Sequence, residues 1–362
     1  MPISAIVLAA GEGTRMRSNR PKPLHLICGR PMVMHVIHAV APLGPQRTVV
    51  VVGHGAEQVT KKVQEQSPAS ANVSFVEQRT QRGTGDAVIV GLTAFDDDDL
   101  DDTSTIVVVP GDAPLLRPAT LEELVTLHET NGFAATVLSA VMDDPTGYGR
   151  ILRAKDGRVL RVVEQRDASN DEQLINEVNT SIYCFRRDLL GPALRHIRAD
   201  NSQSEYYLTD VIEVLAGMGH RVGSLIVADP AETSGVNDRW QLALAERELR
   251  ARTNKHWLLN GVTMLDPRQT FVDVTVRLGR DVTLFPGTML QGRTVVGDGA
   301  EIGPDARIID SSIGANAHVE NSVVRHAEVG SSAHVGPYAS LSPGSTVADF
   351  AATGAFYTGS AE

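Results

Sequence analysis

The sequence predicts an α/β protein: a Rossmann-like, doubly wound domain followed by a short parallel β-helix. Three observations carry this. Short β-branched runs alternate with helical stretches through the first half. A long helical segment starts near residue 236. After Thr270 an aliphatic–Gly pair recurs at multiples of about six. Buried strands read as continuous apolar runs, whereas a fixed short period marks a repeat whose units stack on one another.

Taken in order, "ISAIVLAA", "RTVVVVGHG", "ANVSFVEQ" and "STIVVVPGD" read as strands apolar on both faces, hence a parallel sheet covered by helices. "PMVMHVIHAVAPLG" and "GDAVIVGLTAF" read as two of those helices. "GYGRILRAKDGRVLRVVEQ" reads as a hairpin turning at Asp156-Gly157. In the connecting segment Leu242, Ala245, Leu249 and His256 share one helical face, and Glu246–Arg250 and Glu248–Arg252 have ion-pair spacing. "LGRDVT", "VGDGAE", "IGPDAR", "IGANAH", "VGSSAH" and "VGPYAS" form the hexapeptide repeat, with each aliphatic residue turned inward. Four or five coils are expected, with an insertion or distorted coil at "VENSVVRHAE", where the phase slips. The expected division is 1–235 for the α/β domain, 236–262 for the helix, 263–350 for the β-helix and 351–362 for a tail.

The chain has 362 residues and a formal net charge of −11, which argues weakly against a nucleic-acid partner. No apolar run reaches the roughly 20 residues of a membrane span, and the N-terminus lacks the pattern of a signal peptide. A cytoplasmic protein is expected, with Cys28 and Cys184 as unreactive thiols.

Against that acidity, "LAAGEGTRMRSNRPKPLH" gathers Arg15 and Lys22 beside Gly11 and Gly13. It is not a dinucleotide fingerprint, since Met16 stands where the third Gly belongs, and no Gly-Lys-Ser/Thr of a Walker loop follows. Backbone N–H groups of such a turn can cradle phosphate, Arg15 can clamp it and Lys22 adds a point charge. Taken alone, a solvated basic loop remains open. Gln78, Gln81, Gly83 and Gly85 follow the third strand, and Asp112 follows the fourth. In an open α/β sheet these positions share one crevice. There Gln78 and Gln81 can bond a base edge, Gly83 and Gly85 allow close approach to a planar ring, and Asp112 suits Mg²⁺. His35 and His38, one helical turn apart, lack a third ligand and are read as structural. The acidic run at 96–102 is read as a solvated loop.

"LAAGEGTRMRS", "RPKPLH", "EQRTQRGTGDA", "GDAPLL", "PTGYGRI", "VVEQRDA", "NEVNTSIY", "EYYLTD" and "GVNDR" occur in that order. In these stretches the chain resembles the sugar-1-phosphate nucleotidyltransferases. The closer resemblance is to the bifunctional bacterial N-acetylglucosamine-1-phosphate uridyltransferase/glucosamine-1-phosphate acetyltransferases, whose β-helix is left-handed. The resemblance implies Mg²⁺-dependent transfer of UMP from UTP to N-acetylglucosamine 1-phosphate, and a trimer through the β-helix. It implies that Leu8, Ala9 and Gly11 hold uridine and its first phosphate, and that Arg15 and Lys22 hold the triphosphate. Gln78, Gly83 and Thr84 would read uracil, Asp112 and Asn237 would bind Mg²⁺, and Gly149, Glu164 and Asn179 would grip the sugar. For "NSQSEYYLTD", packing near the sugar side is expected and no chemistry.

Departures from the family pattern are Ser181, where Gly is usual, and Asp86, where His is frequent. The acetyltransferase motif "LRPG" reads "LSPG" here, with Ser342 for the arginine. "GAFYTGS" lacks the next expected lysine, and the expected histidine and asparagine-containing loop would lie beyond Glu362. A serine cannot replace a guanidinium on phosphate, so a degenerate β-helix without acetyltransferase activity is expected. A relative acting on another sugar or nucleotide, and a non-catalytic trimeric scaffold, are the competing readings.

Overall fold

The computed structural model describes residues 1–95 and 104–359; the acidic run at 96–102 lies outside them. The chain divides into two compact units. One comprises Met1–His25 and Pro31–Leu242, the other Leu26–Arg30 and Ala243–Glu362. Among the described residues, no helix is long and apolar enough to cross a membrane.

The first unit is built on a nine-stranded mixed sheet. Its elements in chain order are β1 (Ile3–Ala9), α1 (Met32–Val40), β2 (Thr48–Val52), α2 (Ala56–Gln66), β3 (Val73–Glu77), α3 (Thr84–Leu92) and β4 (Thr105–Pro110). Then come α4 (Pro118–Asn131), β5 (Ala135–Val141), β6 (Arg150–Arg153), β7 (Val159–Val163), β8 (Glu177–Arg186), α5 (Arg187–Leu194), α6 (Asp210–Gly217) and β9 (Val222–Ile226). The spatial order is β9-β5-β8-β4-β1-β2-β3, with the β6–β7 hairpin joined to β8.

Alternation along β1 explains why helices cover both faces. Ala5, Val7 and Ala9 pack with residues of α1, α2 and α4, while Ile6 packs with residues of α3, α5 and α6. Successive side chains of a strand point to opposite faces, so an unbroken apolar run serves two cores. The N-terminal strands β1–β4 pair in parallel, as their sequence predicts. The sheet as a whole is not parallel, however: β8 runs antiparallel to both β4 and β5. Apolar continuity reports burial on two faces and is blind to strand direction, which explains the difference.

The helix α7 (Arg239–Leu259) occupies the predicted connecting segment. Its buried residues are Ala245 and Asn254, and His256 is exposed, so only part of the predicted apolar face is used. Asn254 donates to the carbonyls of Pro267 and Thr270 at 2.8 and 2.9 Å. Glu248 pairs with Arg252 at 2.9 Å as its spacing predicts. Glu246 does not pair with Arg250: its carboxylate accepts the Cys28 N–H at 2.6 Å, and Arg250 lies over the Phe271 ring at 4.4 Å. A backbone N–H and an aromatic face win over an exposed ion pair worth only a few tenths of a kcal/mol.

The rest of the second unit is three parallel sheets of short strands, the arrangement of a left-handed parallel β-helix, with an aliphatic core from Val262 to Val347. Five strands complete each of three faces, and a sixth round begins with Ala352 bridged to His334 and continues with Thr358–Gly359 paired to Ser340–Leu341. Pairing thus extends past residue 350. The phase slip at "VENSVVRHAE" is a contraction, where an insertion was one expectation. Thr283 pairs with Glu301, eighteen residues on, but His318 pairs with His334 and Ser312 with Glu328, sixteen on. Asp310, Asn321 and His326 turn the shortened coil with positive φ angles, and Ile308, Val324 and Leu341 keep their inward stack.

Candidate active site

β1 lies between β2 and β4, and the strand order reverses there: the chain runs outward through β2 and β3, then returns to β4 on the other side of β1. Such a switch point opens a crevice beyond the carboxyl ends of the strands. The crevice here is about 720 Å³. Leu8, Ala9, Gly11, Gly13, Arg15, Lys22, Gln78, Gly83, Thr84, Asp112, Gly149, Glu164, Asn179 and Asn237 all line it, as does Gln81. All belong to the first unit. Gly85 does not line it: it packs beneath, where a Cβ would meet Ile197 at 2.5 Å.

At one end the glycine turn follows β1. The backbone N–H groups of Gly11, Glu12 and Gly13 have no protein partner among the described residues, and free N–H groups in such a turn can receive an anion. Gly13 has φ +65°, and a Cβ there would sit 2.6 Å from Lys22 Cβ, so the turn needs glycine on both counts. Lys22 Nζ contacts the Asp112 carboxylate and donates to Asn237 Oδ1 at 3.0 Å; Arg15 donates to the same oxygen at 3.0 Å. Val236 N–H bonds the Asp112 carbonyl and Gln241 accepts from Asn237 N–H, which holds the two oxygen-bearing side chains together.

Beside the turn, Gln78 is almost fully buried. Its amide nitrogen donates to Asp86 at 2.7 Å and to the Gly83 carbonyl at 3.3 Å. Gln81 donates to the Ala10 carbonyl at 2.6 Å, and the Thr84 hydroxyl accepts the Leu208 N–H at 3.0 Å. At the far end Glu164 accepts from the Thr209 hydroxyl at 3.2 Å, and burial raises its pKa above the usual carboxylate range. Asn179 N–H bonds the Gly149 carbonyl at 2.8 Å. Arg150, 1% exposed, is held by Tyr148 and by Gln165 at 2.7 Å, and Gln165 also accepts the Gly147 N–H. The loop 146–149 is thereby braced from behind.

The profile of the MobA-like NTP transferase domain matches residues 5–207. The bifunctional protein GlmU of Thermobifida fusca is 48% identical over 329 residues, which are 91% of this chain and 67% of the relative. The bifunctional protein GlmU of Streptomyces avermitilis is 47% identical over 358 residues, 98% of this chain and 73% of the relative. That of Corynebacterium aurimucosum is 45% identical over 354 residues, 98% and 72% respectively. The chain belongs to the GlmU family. It is a nucleotidyltransferase of the uridyltransferase type, and its fold agrees with that membership.

Within this GlmU-family chain, the segment 205–209 does more than the packing its sequence suggests. Glu205 lines the crevice, Tyr206 and Leu208 clamp the loop 82–85, and Thr209 touches Glu164, so one segment braces both ends. Its mixture of polar and aromatic residues was the only signal. Ser181 has φ +62° at a register shift in β8, a backbone conformation that favours glycine. His35 and His38 lie on α1, and no group of three or more His, Cys, Asp or Glu suited to a metal occurs among the described residues. Cys28 and Cys184 are buried free thiols with pKa values raised by burial. Ser342 is exposed in the second unit, with its backbone N–H bonded to the Gly359 carbonyl at 3.1 Å.

Proposed function

We propose that this crevice transfers UMP from UTP to N-acetylglucosamine 1-phosphate, with Mg²⁺ as cofactor, giving UDP-N-acetylglucosamine and pyrophosphate. The observation that carries the reading is the cation shared by Asp112 and Asn237 oxygens beside an unpartnered backbone cradle. One carboxylate and one amide carbonyl are hard oxygen donors, and Lys22 Nζ already stands as a positive charge between them. That donor set fits Mg²⁺, which favours a few protein oxygens plus substrate phosphate. Asp112 and Asn237 would hold the metal, whose chemistry when bound is to neutralise phosphate charge.

The cradle at Gly11–Gly13, with Leu8 and Ala9, receives the nucleotide phosphates, and Arg15 and Lys22 close over them. Gln78, Gly83 and Thr84 border the base. Gly149, Glu164 and Asn179 take the sugar, where a carboxylate and an amide suit hydroxyl and acetamido groups. A phosphate oxygen of the sugar phosphate attacks the α-phosphorus of UTP in line. A new P–O bond forms, the bond to the β-phosphate breaks, and pyrophosphate leaves. Positioning and charge neutralisation suffice, and no protein nucleophile takes part. The sugar C1–O bond is untouched, so anomeric configuration is kept.

We further propose that the second unit serves assembly into a trimer and does not transfer acetyl groups, because Ser342 carries no charge for a phosphate. The test is pyrophosphate release from UTP and N-acetylglucosamine 1-phosphate with Mg²⁺ and with chelator. Glucose 1-phosphate, glucosamine 1-phosphate and dTTP run in parallel. Metal-dependent release confined to the first pair is expected. Release with another pair would move the substrate assignment, and none with any pair would overturn the reading.

A further inference from the structure

Asp86 is a carboxylate only 3% exposed, on the first turn of α3. It does not line the crevice. One oxygen accepts from Gln78 Nε2 and the other from Arg82 Nη2, both at 2.7 Å. Gln78 is itself 4% exposed and does line the crevice. An ionised carboxylate has no proton to donate, so it can face only the NH₂ side of the amide. The Gly83 carbonyl, a longer contact at 3.3 Å, favours the same side more weakly. Turning the amide over would set its oxygen against two acceptors in a buried place, at the cost of the hydrogen bonds and added repulsion. Arg82 supplies the counter-charge that keeps the buried carboxylate paired. No described residue donates to Gln78 Oε1.

We propose that Asp86 is a positioning residue that locks the Gln78 amide with its carbonyl oxygen toward the nucleobase. The oxygen accepts from the ring imide N–H of uracil and repels the ring-nitrogen lone pair that cytosine offers there. Thymine carries the same imide N–H and is not discriminated by this contact. A site built around one fixed acceptor rejects a mismatched base because a buried polar group is left facing another acceptor.

This rests on the proposed reading of the crevice as a uridine nucleotide site. The experiment is kcat/KM for UTP, CTP and dTTP in the wild-type chain and in Asp86→Asn. Asparagine can present either an oxygen or an NH₂, so only the longer Gly83 contact at 3.3 Å still opposes turning the amide over. The UTP-to-CTP ratio is expected to fall tenfold or more, chiefly through KM, while the UTP-to-dTTP ratio stays within twofold. A general structural defect would lower all three nucleotides together and would overturn the proposal, as would a UTP-to-CTP ratio held within twofold. Asp86→Ser, whose hydroxyl can donate or accept, gives the same reading if Asp86→Asn does not fold. A wild-type chain inactive with every nucleotide would instead strike the underlying site reading.

Discussion

Lys22 ties Asp112 to Asn237 through its ammonium, and we propose that the same charge serves the substrate phosphates. Lys22→Met keeps the stem and removes the charge. A single lost donor on transition-state charge costs about 10²–10³ in rate. A fall in kcat of at least about a hundredfold is expected in the pyrophosphate assay, and a fall of less than threefold would contradict the role. Asp210 offers a pH test. Burial first, then Glu213, Glu164 and Asp167, push its pKa up to about 6. A carboxyl whose folded pKa is raised favours folding fully below its unfolded value near 4 and loses that contribution as pH rises through 6. Asp210→Asn is therefore expected to melt higher than wild type at pH 8, with the gap closing as pH falls from 6 toward 4. A gap independent of pH would refute this.

At the scale of elements, the β-helix end of α7 is held by the polar contacts of Asn254 together with Trp257, which packs against the aliphatic core. Asn254 is fully buried and satisfies two carbonyls at the first coil. Asn254→Leu would fill similar space and leave the Pro267 and Thr270 carbonyls without that donor, at about 1–3 kcal/mol for each buried group. Melting several degrees lower than wild type is expected, with pyrophosphate release per folded molecule unchanged. The period of the repeat predicts the β-helix because each coil must align its inward residue with the next. The sense of the phase slip was not legible there. A shortened coil and a lengthened one disturb the period alike, and only the pairing of His318 with His334 distinguishes them.

For the whole molecule, the β-helix and the crevice make separate predictions. Sedimentation is expected to give three times the chain mass, in keeping with a closed ring of identical interfaces. A monomer at micromolar concentration would remove the assembly role. The α/β class, the two rhythms of the chain and the strand ends that meet at the crevice are determined by the sequence itself. Apolar period and glycine placement are local properties, and a switch-point topology brings Gly11, Gly83 and Asp112 together whatever lies between. Tertiary structure alone decided three other things. It placed β8 antiparallel in the middle of the sheet, turned Glu246 to the Cys28 N–H, and set Asp86 behind Gln78. Each is a choice among partners distant in the chain or hidden in the interior. Burial and hydrogen-bond satisfaction make such choices, and residue spacing carries no record of them.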